Sequence, residues 1–72
     1  MNDTDGALAD FNSAIALNPK SAKAMMNRGR AYARLGDTAR AKADFSTAVE
    51  MNPEIKKLIE VNGYSVDGLP LR

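Results

Sequence analysis

The sequence predicts an all-α chain built from antiparallel helical hairpins, about three helices plus a short C-terminal capping helix. Three observations predict it. An eleven-residue phrase occurs twice, ADFNSAIALNP at 9–19 and ADFSTAVEMNP at 43–53, displaced by 34 residues. Apolar residues within each copy recur at helical and not strand spacing. Proline and glycine punctuate the chain where helices of ordinary length should stop.

The repeat is wider than the phrase. Laying residues 2–19 on 36–53 gives nine identities in eighteen positions, among them Ala7/Ala41, Asp10/Asp44, Phe11/Phe45, Ala14/Ala48 and Pro19/Pro53. In each copy an apolar stripe runs i, i+4, i+7, i+8: Ala7, Phe11, Ala14 and Ile15, then Ala41, Phe45, Ala48 and Val49. That stripe is one face of a helix. Asp3 or Thr4, and Asp37, are expected as N-caps, since a short oxygen-bearing side chain accepts a free N–H of the first turn. Pro19 and Pro53 stop the helices, because the ring disfavours helical geometry in the preceding residue and carries no N–H. Helices are therefore expected at 4–17 and 38–51.

Between them, 22–35 reads as a third helix, with Ser21 as N-cap and Gly36 as a left-handed C-cap. The joint Leu35-Gly36-Asp37 leaves room only for an antiparallel hairpin. After Pro53, the stripe Ile55, Leu58 and Ile59 predicts a short helix at 54–61 ending at Asn62-Gly63. The last nine residues, YSVDGLPLR, show no period and are expected to fray.

Composition narrows the function. A chain of 72 residues forms one small domain, and 12 of its apolar residues are alanines, so its core is thin. It has no cysteine and no histidine. Disulfides are excluded, a zinc site would lack its usual ligands, and no metal or cofactor is expected. Without those residues no Ser-His or Cys-His pair exists, so a non-catalytic protein is expected. No apolar run is long enough to span a bilayer, and the acidic N-terminus does not resemble a signal peptide. A cytoplasmic location is the default expectation. Charge is uneven: −3 over 1–19, +6 over 20–42 and −2 over 43–72.

The residues that repeat resemble the tetratricopeptide repeat family, whose unit is a pair of antiparallel helices. With Pro53 at the family's proline, Ala22 opens a full unit. Met25, Gly29, Tyr32, Ala41, Phe45, Ala48 and Pro53 then stand where the family places large, small, aromatic, small, aromatic, small and proline. Arg28 departs from the pattern, standing where leucine is usual, and is expected to weaken one packing contact. The resemblance implies a right-handed solenoid. It divides the chain into the second helix of an incomplete unit (1–19), one complete unit (20–53), a capping helix (54–63) and a flexible tail (64–72).

At 100° per residue, Lys23, Asn27, Arg30 and Arg34 share about 60° of arc on helix 22–35. Met26 and Ala33 flank that stripe, and Met25, Gly29 and Tyr32 point the other way. In the family, the outward face of a unit's first helix lines a concave groove for partner peptides. By that resemblance the groove residues are Lys23, Met26, Asn27, Arg30, Ala33 and Arg34. Paired arginines suit an acidic or carboxylate-bearing segment, and Asn27 suits its backbone. Arg30 and Arg34 repel each other at i, i+4 unless an anion compensates.

A second expectation concerns Leu8, Phe11 and Ile15. The helix that would cover them precedes the repeat, and arrays usually need about three units. Self-association through this surface, or membership of a longer array, is therefore expected. The expected partners are a protein or peptide and further copies of the chain. Two alternatives are a purely structural, self-assembling fragment and nucleic-acid binding through 20–42. The second lacks an outward aromatic for stacking. Met25 and Met51 are read as core, and Asp10 and Asp44 as outward-pointing carboxylates served by solvation or by pairing with nearby bases.

Overall fold

The computed structural model describes residues 3–69 and contains four helices in chain order: α1 (Asp3–Leu17), α2 (Ala22–Arg34), α3 (Thr38–Met51) and α4 (Ile55–Val61). All four fall within a residue or two of their expected positions.

The local chemistry explains the boundaries. Ser21 Oγ accepts a hydrogen bond from the Ala24 N–H, capping α2, and the Asp37 carboxylate accepts from Arg40 N–H, capping α3. The N-terminus of α1 differs from expectation, because Asp3 and Thr4 already lie inside the helix. The repeated Asn-Pro joint does more than stop a helix. Asn18 Oδ1 accepts from Lys20 N–H and Asn52 Oδ1 from Glu54 N–H, so each asparagine builds the turn out of its own helix.

Two glycines reverse the chain. Gly36 has φ +82°, which lets Asp37 N–H reach Tyr32 C=O while Gly36 N–H reaches Ala33 C=O. This pair of bonds turns α2 directly into α3. Gly63, at φ +91°, repeats the arrangement, with Tyr64 N–H on Ile59 C=O and its own N–H on Glu60 C=O.

Helix α2 sits centrally, with α1 against one side and α3 against the other, while α4 packs across α3 and α2. The core lies between α2, α3 and α4. Ala22, Met26, Ala41, Phe45, Ala48, Ile55 and Ile59 form it, and Phe45 and Ile59 are wholly buried. Each of those two side chains contributes about 1.5–3 kcal/mol by leaving water. Helix α1 supplies no side chain to this buried cluster.

Close packing depends on a missing side chain. A Cβ on Gly29 would lie 2.8 Å from two carbons of the Phe45 ring, so the ring rests directly on the α2 backbone. On its other side Phe45 meets Tyr64, with ring centroids 6.2 Å apart.

Three expectations are corrected. The segment from Tyr64 to Leu69 is docked and not frayed: Tyr64 and Val66 pack on the core, and Ser65 N–H bonds to Leu69 C=O. Gly68, at φ +83°, fits against Thr38 C=O and Ala41, where a Cβ would sit within 3.0 Å. The remaining tail residues, 70–72, lie outside the described residues. Met51, expected in the core, is exposed at the last residue of α3. On α2, Met25, Gly29 and Tyr32 face the core as expected, but the stripe is wider than expected and also takes in Ala22 and Met26.

Candidate peptide-binding cleft

Helices α1 and α2 diverge around an open cleft of about 210 Å³. Thr4, Ala7 and Phe11 form one wall and Asn27, Arg30, Ala31 and Arg34 the other. The wall residues on α1 are successive members of its apolar stripe, with Thr4 one turn earlier. Those on α2 follow i, i+3, i+4, i+7, which is the face that its packing on α3 leaves free.

The cleft is apolar at its base and basic at its rim. Arg34 is exposed, whereas Arg30 is half-buried and its Nε is shut off from solvent with no hydrogen-bond partner among the described residues. A buried N–H without an acceptor costs about 1–3 kcal/mol. Asn27 adds an amide that both donates and accepts.

The structure sorts the expected groove residues. Asn27, Arg30 and Arg34 come together in the cleft. Lys23 is exposed on α2 but is not a wall residue. Met26 is not on the groove: it is 4% exposed and belongs to the core, because the inward stripe of α2 passes through it. Ala33 is likewise half-buried against the core. Of the three residues expected on an association surface, Leu8, Phe11 and Ile15 are all half-buried, and Phe11 is shared with the cleft. Thr4, Ala7 and Ala31 were not singled out as lining residues. The repeat alignment carried a signal for Ala7, whose counterpart Ala41 is packing surface.

A second cluster lies beside the cleft and links the three longer helices. Arg28 Nε donates to Asp44 Oδ2 and Nη2 to Asp44 Oδ1, both at 2.7 Å, and Nη1 donates to Asn12 Oδ1 at 3.0 Å. One guanidinium thus joins α1, α2 and α3. Asp44 is paired with a base, one of the two expected fates, but it is 7% exposed and faces α2 where an outward direction is expected. The hydrogen bonds to Asp44, aided by its charge and opposed by burial, hold the Arg28 pKa above its ordinary value. The leucine position is therefore not a weakened contact but an ionic one. Tyr32 lies beneath two cations, with Arg28 Cζ at 6.0 Å and Arg40 Cζ at 5.7 Å from its ring centre.

Among the described residues no helix is long and apolar enough to cross a membrane. A family model described as Tetratricopeptide repeat matches residues 1–61. No curated protein and no solved structure gives a significant match.

Proposed function

The chain belongs to the tetratricopeptide repeat family, a family of protein-interaction modules, and from that premise we propose that it binds an acidic peptide segment in the cleft between α1 and α2. The observation that carries this reading is the shared wall of Asn27, Arg30 and Arg34, an amide and two cations lining one cleft. A carboxylate that pairs with these guanidinium groups offsets the repulsion between Arg30 and Arg34. The Phe11 ring and Ala7 offer apolar contact to the peptide's flanking side chains, and Asn27 bonds its backbone.

Nucleic-acid binding is less well supported. A phosphate track needs a continuous run of free cations. Arg28 is committed to Asp44, and Arg40 lies over Tyr32 and 3.4 Å from Asp37.

Titration of a labelled acidic peptide into the protein tests the proposal. Reversing charge at Arg30 and Arg34 should lower affinity at least about tenfold, the loss of one charge-assisted contact, while helicity by circular dichroism is unchanged. Equal affinity for the reversed protein would falsify it. A mixed-sequence oligonucleotide titrated in parallel should show no comparable binding.

A further inference from the structure

The C-terminal end of α4 is held by an asparagine that also stands next to a reactive neighbour. Of the six asparagines in the chain, Asn62 alone is followed by glycine. Asn18 and Asn52 precede prolines, which carry no N–H, and Asn12 and Asn27 stand inside α1 and α2. Asn62 is exposed, and nothing lies within 4 Å of where a Cβ on Gly63 would sit, so no side chain crowds the bond between them. The Asn62 amide holds the turn that follows. Its Nδ2 donates to Leu58 C=O at 2.7 Å, while Gly63 N–H reaches Glu60 C=O and Tyr64 N–H reaches Ile59 C=O. That turn brings Tyr64 to the Phe45 ring, and the strap closes where Ser65 N–H bonds to Leu69 C=O.

We propose that Asn62 is a site of spontaneous covalent modification, and that its conversion to an acid releases the Tyr64–Leu69 strap from the core. The Gly63 nitrogen attacks Asn62 Cγ. A C–N bond forms, the bond from Cγ to Nδ2 breaks, and the proton of the attacking nitrogen leaves with the amide as ammonia. Water then opens the cyclic imide. Opening at one carbonyl gives aspartate. Opening at the other gives isoaspartate, whose backbone runs through the side chain and is lengthened by a methylene. Nothing is oxidised or reduced, and water is the sole co-reactant. The folded turn restrains the step, because the attacking nitrogen and the leaving amide are both tied in hydrogen bonds. Local opening at the end of this seven-residue helix frees them. Either product undoes the turn. A carboxylate has no donor for Leu58 C=O, and its charge stands at a helix C-terminus with no base in the last turn, where the macrodipole disfavours it. The longer isoaspartate backbone also draws Tyr64 N–H out of register with Ile59 C=O. None of these residues lines the cleft between α1 and α2, so the proposal does not rest on the peptide reading.

The full chain, incubated in mildly alkaline buffer and digested with trypsin, tests the site. The fragment of residues 58–72, LIEVNGYSVDGLPLR, should gain the mass difference between an amide and an acid, relative to a digest of fresh protein. It should separate by chromatography into two acid products. Asn62→Gln, whose imide would be a larger and slower-forming ring, should show no gain over the same time. The synthetic fragment 58–72, which lacks the fold, should convert at least about tenfold faster than the intact chain, because no turn has to open first. Release is read separately, on the converted chain and on Asn62→Asp. Amide exchange at Ser65 should quicken at least about tenfold in both, while circular dichroism shows the three longer helices retained. Absence of a mass gain in the intact chain, or a gain that persists in Asn62→Gln, overturns the assignment of the site. Equal rates for chain and fragment overturn the restraint by the turn. Unchanged Ser65 exchange in both acid forms overturns the release of the strap.

Discussion

The Arg28 guanidinium and the Asp44 carboxylate meet fork to fork across α2 and α3, with two hydrogen bonds of 2.7 Å. The side-chain exposures are 23% for Arg28 and 9% for Asp44, so the carboxylate is the more deeply committed partner. An ion pair thus occupies a site where an apolar side chain would also pack, and its directionality sets the register of three helices through Asn12.

That asymmetry makes the two truncations unequal. Arg28→Ala strands a buried carboxylate and should cost about 2–3 kcal/mol. Asp44→Ala leaves an arginine able to turn towards water and should cost less. The double variant Arg28→Leu/Asp44→Leu should return to within about 1 kcal/mol of wild type, since apolar replacement of a buried pair is often neutral. Urea denaturation of the four proteins makes the comparison.

Glycine substitutions should have opposite signs in two helices. At Gly29 a methyl group would lie 2.8 Å from the Phe45 ring, which is wholly buried and has nowhere to move. Gly29→Ala should therefore destabilise by about 1–3 kcal/mol despite alanine's better helix propensity. Gly6 in α1 has nothing within 4 Å of the same position, so Gly6→Ala should stabilise by about 0.5–1 kcal/mol. Thermal melts of the two variants should move in opposite directions.

The C-terminal segment should behave as part of the core. Tyr64→Ala removes the ring stacked beside Phe45 and should cost about 1–3 kcal/mol. Gly68→Ala should also destabilise, since it forces a side chain into left-handed geometry against Thr38 C=O. Leu17→Ala, at a side chain 88% exposed, should stay within about 0.5 kcal/mol. Amide exchange at Ser65, whose N–H bonds to Leu69, should be protected in the wild type and lost in Tyr64→Ala.

Within the basic stripe, position relative to the cleft should decide the effect on peptide binding. Arg34→Ala and Asn27→Ala remove wall residues and should each weaken an acidic peptide several-fold, by about 1 kcal/mol. Lys23→Ala lies outside the wall and should change affinity less than twofold, within about 0.4 kcal/mol. Fluorescence anisotropy of one labelled peptide against the three variants makes the comparison.

Much of this was legible in the residues. Helix ends were readable because caps and breakers act locally: Ser21, Asp37, Gly36 and Pro53 each do their work within a turn of their own position. The cleft was half readable. Spacing placed Asn27, Arg30 and Arg34 on one face, but it placed Met26 there too. Nothing in the sequence stated that Phe11 would form the opposite wall. Pairing of Asp44 with a base was legible, but its burial was not, because its partner Arg28 lies sixteen residues away on another helix.

By itself, then, the sequence determined the helices, their order, their antiparallel turns and the family, since all of these follow from short-range spacing and a period of 34 residues. Tertiary structure decided the direction each face points. Helical periodicity orders side chains around an axis but leaves the azimuth of the neighbours open. With α1 on one side of α2 and α3 on the other, the same stripe is divided between core and cleft, taking Met26 inward and leaving Arg30 at the rim. The docked turn from Tyr64 to Leu69 has the same origin, because that aperiodic segment packs on Phe45 and the core around it only once the helices have assembled.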